Sequence, residues 1–142
     1  MAAKPNYLDH LKSIPLFSTC SKKELEQVAR LSDELELASG KVLMRQGSVG
    51  YECFVLINGK VSVEIDGHIV ATLGPGAYFG ELALLDKQPR SATVTGLTDL
   101  TVLVMGPREF STMIDQIPGL STKLLAGLAR RIREIDAKFV GH

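Results

Sequence analysis

The spacing of hydrophobic and polar residues changes twice along the chain, and the changes divide it into helices, strands and helices. Residues 7–12 and 21–31 have helical spacing, and Leu25, Val28 and Leu31 share one face of the second segment. Ser21 and Glu24 have the spacing of a capping box, in which each side chain bonds the other residue's amide. The pattern predicts N-terminal helices within residues 1–33.

Residues 34–106 consist of short strand-like runs broken by glycine. The pairs Asn58-Gly59 and Asp66-Gly67 lie between such runs, which is the signature of a tight hairpin with two residues at positive φ. Residues 60–65 alternate strictly between apolar and polar, and further strands are predicted at 68–73, 92–95 and 100–105.

Two helices are predicted after the strands. Pro107 opens one that runs to Ile114, and Pro118 opens another that runs to about Val140. The chain has no internal repeat and no linker, so residues 1–142 are expected to form one domain: helices in 1–33, a barrel in 34–106 and helices in 107–142. The fold class is mainly β with flanking helices, an antiparallel jelly-roll barrel.

Residues 74–94 break the strand pattern and contain the residues suited to chemistry. Residues 81–85 favour a helix of about one turn, whose free N-terminal amides suit a phosphate. Gly80 removes side-chain bulk at that end, and Arg90, after the rigid turn at Pro89, can make a two-pronged contact with phosphate oxygens. Glu81 accepts hydrogen bonds, which suits a sugar hydroxyl. Together these residues predict a site for a phosphate joined to a ribose.

The motif FGELALL at 79–85, followed by PRSATV at 89–94, resembles the phosphate-binding cassette of cyclic nucleotide-binding domains. This family includes catabolite activators, cyclic-nucleotide-dependent kinases and gated channels. Gly47, Gly50 and Asn58-Gly59 stand where the family has its early glycine turns, so the resemblance covers nearly the whole chain. Tyr51 departs from the family, in which an acidic residue is frequent at this position.

The resemblance implies a role for each residue of the cassette. Arg90 neutralises the cyclic phosphate, Glu81 accepts the ribose 2′-hydroxyl and Val70 borders the base. Family members devoted to cyclic GMP often have threonine directly after the cassette arginine, where this chain has a serine. The ligand is therefore expected to be cyclic AMP, with cyclic GMP left open. The phosphate is expected to contact Gly80, Ser91 and the amides of Leu82, Ala83 and Ala92.

Composition excludes several other classes of protein. The 16 basic and 16 acidic residues give a net charge of zero, so the chain has no general attraction to nucleic acid or an anionic membrane. Two cysteines are too few for a disulfide framework, and no apolar run has the ~20 residues of a membrane span. The N-terminal residues lack an apolar signal core, so a reduced, cytoplasmic protein is expected.

Enzymatic activity is not expected. His10, His68 and His142 are scattered, which argues against a metal-dependent jelly-roll enzyme, and neither a metal nor a further cofactor is predicted. A nucleophile beside a base is not recognisable. Cys53 lies in an apolar run and should be a buried, inert thiol, whereas Cys20, before a helix, could be somewhat reactive.

The last helix bears on partners. Its apolar residues at steps of three and four could form a dimer seam or pack on the barrel, so a monomer or weak dimer is expected. The half from Ile132 to Phe139 could instead cover the bound base. The helix-turn-helix of the activators does not follow, so direct DNA binding is not expected. The seam residues are Leu125, Leu128, Ile132, Ile135 and Phe139.

The resulting hypothesis is a non-catalytic sensor of a cyclic nucleotide, whose C-terminal helix responds to the ligand. A protein effector or an output domain would read that helix; a free-standing sensor and the regulatory part of a larger protein both remain open. The alternative is a structural or interaction domain that keeps the fold and binds no nucleotide. The retention of both Glu81 and Arg90 argues against this alternative.

Overall fold

The computed structural model describes residues 7–80 and 88–139. At the N-terminus it has helix α1 (Tyr7–Lys12), a 3-10 helix (Pro15–Phe17) and helix α2 (Lys22–Leu31). The predicted capping box is present: the Ser21 amide donates to Glu24 Oε1 over 2.8 Å, and the Glu24 amide donates to Ser21 Oγ over 3.1 Å. These bonds satisfy amides that the first turn of α2 would otherwise leave without a partner.

The barrel consists of strands that form two antiparallel sheets among the described residues. The first sheet has the order β1-β8-β3-β6, and the second has the order β2-β7-β4-β5. The predicted strands at 68–73 and 100–105 are confirmed, and those at 60–65 and 92–95 are each shifted by one residue. The strand bounds are β1 Asp33–Leu37, β2 Val42–Met44, β3 Cys53–Asn58, β4 Val61–Ile65, β5 His68–Leu73, β6 Tyr78–Phe79, β7 Thr93–Gly96 and β8 Leu100–Met105.

The two predicted hairpins have different outcomes. Asp66 and Gly67 have φ values of +53° and +82° and join the paired strands β4 and β5, as expected. Asn58-Gly59 does not close a hairpin: β3 pairs with β6 and β8, whereas β4 pairs with β5 and β7. Gly59, at φ +97°, instead carries the chain from one sheet to the other. An Asn-Gly pair makes a tight turn but does not determine which strands pair.

Strand β3 of the first sheet is buried on both faces. Phe54 and Leu56 of β3 pack with Val61 and Val94 of the second sheet, inside the barrel. The alternate residues of β3 belong to an outer cluster with the helices. This outer cluster contains Cys53, Val55 and Ile57 together with Leu11, Phe17, Val28, Met113 and Leu120. Strand β3 therefore lacks the apolar-polar alternation of a half-exposed strand.

Helix α3 (Pro107–Gln116) and helix α4 (Leu120–Phe139) complete the described structure. Helix α4 begins two residues after Pro118 because Gly119, at φ +82°, lies outside the right-handed helical region. The helix packs through Leu120 and Leu124, while the side chains of Leu125 and Ile132 are each 65% exposed. Of the two alternatives for the seam residues, packing on the barrel therefore does not hold for these two. Among the described residues, no helix combines the length and apolarity needed to cross a membrane.

Candidate functional site

The side chain of Arg90 is the best-defined feature of the candidate site. Although charged, it is 5% exposed. Its Nη1 donates to the carbonyl oxygen of Gly80 over 3.1 Å, and its Nη2 donates to that of Glu52 over 2.9 Å. These hydrogen bonds to main-chain carbonyls orient the guanidinium.

The sheet determines where these carbonyls lie. Strands β3 and β6 pair through Phe54 and Phe79, whose rings stack with centroids 5.3 Å apart. Glu52 directly precedes β3 and Gly80 directly follows β6, so both lie at the same end of the antiparallel pair. The guanidinium joins the two strands at the point where their pairing ends.

The main chain of Arg90 is held by the loop between β2 and β3. The Gly47 amide donates to the Arg90 carbonyl, and the Arg90 amide donates to the Ser48 carbonyl, both over 2.8 Å. Both ends of the arginine are therefore positioned by hydrogen bonds, which limits the orientations available to its guanidinium.

The residues that follow Arg90 lead into the second sheet. Ser91 is exposed, and Ala92, at 5% exposure, is buried directly before β7. Val70 is 41% exposed and lies at a β-bulge, where the register between β4 and β5 shifts. Glu64 of β4 pairs with Thr93 of β7 on one side and with Ile69 of β5 on the other. Val70 follows Ile69, and Ala92 precedes Thr93, so both lie next to the same row of paired residues across the sheet. Two strand spacings, about 10 Å, separate β7 from β5.

Part of the predicted site falls outside the described residues. Glu81, Leu82 and Ala83 lie there, as does the predicted helix over residues 81–85. Gly80, Arg90, Ser91, Ala92 and Val70 are described, and among them Gly80 and Arg90 are in direct contact.

Two residues at Arg90 were missed by the sequence analysis. Glu52 contributes its carbonyl oxygen, for which no side-chain signal exists in a sequence. Gly50 was interpreted as a turn residue, but its φ is not in the left-handed region, and the atoms nearest to it belong to the Arg90 side chain. The sequence has no signal for this contact, because a glycine required for a turn and one required for a close contact look the same in it.

The cysteines and the potential metal ligands do not add a second reactive centre within residues 7–80 and 88–139. No group of three or more His, Cys, Asp and Glu residues there could hold a metal ion. Cys53 is 2% exposed, as predicted. Cys20 is 6% exposed, and burial raises the pKa of its thiol, with a further increase from Glu24 and an opposing effect from Lys123. The thiolate is therefore disfavoured at neutral pH, which argues against a reactive Cys20 and favours an incidental thiol.

The fold and the cassette define the class of protein. The family model described as "Cyclic nucleotide-binding domain" matches residues 34–117. These residues include Arg90, all of α3, and both sheets except for Asp33, the first residue of β1. The chain belongs to this family.

Individual relatives agree with this assignment. The chain is 34% identical over 80% of its length to the "Pycsar effector protein XpPycTIR" of Xanthomonas perforans. It is 31% identical over 89% of its length to the "Cyclic AMP receptor protein" of Thermus thermophilus. These matches span 38% and 61% of the two relatives, so the chain corresponds to a part of each.

A solved structure agrees in fold. The structure "cAMP bound PfPKA-R (141-441)" superposes on 92% of this chain with a TM-score of 0.77 and 25% identity, and the match covers 46% of that chain. The predicted architecture, a mainly β barrel with flanking helices, is confirmed.

Proposed function

We propose that this chain binds a 3′,5′-cyclic nucleotide, with cyclic AMP as its ligand, and acts as a non-catalytic regulatory module. The observation that carries the proposal is the buried guanidinium of Arg90, oriented by the carbonyls of Gly80 and Glu52. A guanidinium makes charge-assisted, two-pronged hydrogen bonds to phosphate oxygens. A cyclic phosphate has one negative charge and the oxygen geometry that suits a guanidinium.

Each cassette residue has a role in the proposal. Arg90 binds the phosphate, and Glu81 accepts a hydrogen bond from the ribose 2′-hydroxyl. Gly80 leaves room for the Arg90 guanidinium, which its carbonyl oxygen orients. The phosphate would receive further hydrogen bonds from the amides of Leu82, Ala83 and Ala92 and from Ser91.

The second sheet is the proposed location of the base. Val70 is partly exposed and lies in the same sheet as Ala92, two strands away. In a cyclic nucleotide the base projects from the ribose away from the phosphate, so a nucleotide with its phosphate at Arg90 would extend its base toward Val70. Because residue 91 is serine rather than the threonine frequent in cyclic GMP-specific members, we expect cyclic AMP to bind at least as tightly as cyclic GMP.

Helix α4 is the proposed output of the module. The first part of the helix is anchored by Leu120 and Leu124, while Leu125 and Ile132 are exposed and available to a partner or a lid contact. A protein effector or an output domain would read the position of this helix. A cytoplasmic location and a monomer or weak dimer belong to the same proposal.

A second candidate is a structural domain that binds no nucleotide. It is favoured by one observation: the bonds of Arg90 join the ends of β3 and β6 without any ligand. In that case Arg90 would stabilise the barrel, and its replacement would lower the thermal stability without affecting any ligand.

Calorimetric titration of the purified chain with cyclic AMP, cyclic GMP and 5′-AMP tests the proposal. We expect saturable 1:1 binding of cyclic AMP. We expect little binding of 5′-AMP, whose open phosphate has a different charge and shape. A folded protein that binds neither cyclic nucleotide would refute the proposal in favour of the structural domain. A clear preference for cyclic GMP would refute only the choice of base.

A further inference from the structure

Gly50 lies against the guanidinium of Arg90. A Cβ atom added at this position would lie 2.8 Å from Arg90 Nε and 2.9 Å from Nη2, closer than side-chain carbons approach other atoms. By contrast, Gly47 in the same loop has a φ of +82° and open space around it. Gly47 is explained by its backbone conformation, whereas Gly50 is explained by the space it leaves.

The opposite side of the guanidinium is bounded by a second glycine. A Cβ atom at Gly80 would lie 2.8 Å from Arg90 Nη1 and 2.6 Å from the Glu52 carbonyl oxygen. Gly80 also has a φ of +87°, so a substitution there would strain the backbone as well. Gly50 has no such complication, and the three atoms nearest to its added Cβ all belong to Arg90.

The loop that carries Gly50 is anchored, so it cannot easily withdraw. Gln46 Nε2 donates to Asp66 Oδ1 over 2.9 Å, and the Asp66 amide donates to Gln46 Oε1 over 2.8 Å. The Gln46 amide donates to Thr93 Oγ1, and Gly47 and Ser48 bond the main chain of Arg90. Because the loop is held at several points, a side chain at residue 50 would displace the guanidinium rather than the loop.

We propose that Gly50 is a positioning residue for the anion: it leaves the space that sets the orientation of the Arg90 guanidinium. This inference rests on the proposed binding of a cyclic nucleotide. The guanidinium is at the end of a flexible side chain, so it can shift without unfolding the barrel. A shifted guanidinium would no longer meet the phosphate in the correct geometry. Misplacement of a binding group by about 1 Å can reduce function by ~10²-fold.

The test compares Gly50→Ala with Gly74→Ala in the full chain. Gly74 is a matched control, because its φ is not left-handed and an added Cβ would meet nothing within 4 Å. We expect Gly50→Ala to weaken cyclic AMP binding by roughly ten- to hundredfold in calorimetry, and Gly74→Ala to bind as the unchanged protein does. Unchanged cyclic AMP affinity in a folded Gly50→Ala protein would overturn the inference.

A second measurement separates positioning from general destabilisation. In the two phosphorothioate diastereomers of cyclic AMP, sulfur replaces a different exocyclic oxygen of the phosphate. A guanidinium with a fixed orientation faces sulfur in one diastereomer and oxygen in the other, so it discriminates between them. We expect the ratio of their affinities to fall toward one in Gly50→Ala. An unaltered ratio would mean that the guanidinium has not moved, and would overturn the inference.

A third measurement covers the case in which Gly50→Ala folds poorly. If the added methyl group conflicts with the guanidinium, Arg90→Ala should remove the conflict, so the double variant should melt at the same temperature as Arg90→Ala alone. An undiminished loss of stability in the Arg90→Ala background would overturn the contact. If the unchanged protein binds no cyclic nucleotide, the proposed function fails and this inference fails with it. If the unchanged protein and Gly50→Ala bind cyclic AMP equally well, only the inference is refuted.

Discussion

At the scale of single residues, the charge of Arg90 determines what the site can do. The guanidinium is buried, and it donates hydrogen bonds to the carbonyls of Gly80 and Glu52, which orient it. An anion that binds there encounters a donor that is already oriented, so little side-chain entropy is lost on binding. Affinity should therefore depend strongly on this one side chain.

Replacement of Arg90 by alanine should weaken cyclic AMP binding by ~2–5 kcal/mol, because it leaves a desolvated phosphate without its partner charge. This corresponds to a loss of about thirty- to several-thousand-fold in affinity. Arg45→Ala, which removes an exposed arginine in the neighbouring loop, is the control and should have little effect. Glu81→Ala should cost less than Arg90→Ala, since it removes contacts to a neutral hydroxyl. Unchanged affinity in a folded Arg90→Ala protein would show that the site lies elsewhere.

Cys20 should make the stability of the protein sensitive to alkaline pH. Its thiol has a raised pKa in the folded protein, so the unfolded chain loses this proton first as the pH increases. The contribution is fully present below the unfolded pKa of ~8.5 and is lost as the pH rises through the folded pKa. Denaturation at pH 7.5 and pH 10 should show a larger loss of stability for the unchanged protein than for Cys20→Ala. Equal losses in the two proteins would contradict this assignment.

At this scale the sequence predicts interactions between neighbours and misses those between distant residues. The Ser21–Glu24 capping box spans three positions, so it was recognisable from the sequence and is confirmed. The contact between Gly50 and Arg90 joins residues forty positions apart. No local pattern determines that distance, and the role of Gly50 emerges only once the barrel is closed.

At the scale of elements, helix α4 contains a glycine in its interior that its own stability does not explain. Gly127 costs ~1 kcal/mol relative to alanine in an isolated helix. An added Cβ there would collide with the hydroxyl of Tyr78, which also donates to the Leu124 carbonyl over 3.5 Å. The glycine lets α4 approach β6, the strand that leads directly to Gly80.

Gly127→Ala should therefore destabilise the protein in thermal melting, although alanine is the better helix former. The reason is the collision with the Tyr78 hydroxyl. Tyr78→Phe removes that hydroxyl, so the double variant should recover most of the lost melting temperature. If Gly127→Ala instead raises the melting temperature, α4 does not approach Tyr78 as closely as described.

The second half of α4 should act as a lid. Deletion of the residues after Arg131 retains the buried Leu120 and Leu124 and removes the exposed Ile132. The barrel should still fold, and cyclic AMP should dissociate faster, because a ligand favours a closed state only through contacts that the open state lacks. Stopped-flow measurements of dissociation test this expectation. Equal rates for the truncated and full-length proteins would leave this half of the helix as a dimer seam.

Element types were easier to predict than their pairing. The helical and strand segments follow from periodicity, and most bounds agree to within one or two residues. The outcome at Asn58-Gly59 differs because a tight turn can either close a hairpin or change sheets. That choice depends on which faces the completed barrel buries. The exposure of Leu125 and Ile132 was unpredictable for the same reason. An apolar stripe on a helix does not specify which surface the helix packs against.

At the scale of the whole molecule, ligand binding and folding are linked. The proposed site joins β3, β6 and β7, which belong to both sheets. A ligand held at this junction binds the folded protein and not the unfolded chain, so it should stabilise the entire barrel.

Cyclic AMP at a hundredfold its dissociation constant should add ~2.7 kcal/mol to the free energy of unfolding. For a domain of this size, the melting temperature should rise by roughly 10 °C. Differential scanning fluorimetry measures the shift, and Arg90→Ala at the same nucleotide concentration should show a much smaller one. A melting temperature that is independent of cyclic AMP would contradict the linkage.

The burial of β3 on both faces affects how this domain can be recombined with others. Cys53, Val55 and Ile57 contact the helical layer, while Phe54 and Leu56, between them in sequence, fill the barrel. In a chimera that exchanged only the helices, the side chains of the new helices would not be matched in shape to the outer face of β3. The helices and the barrel should therefore be exchanged as one unit, and crossover points compatible with folding should lie outside the interface between β3 and the helices.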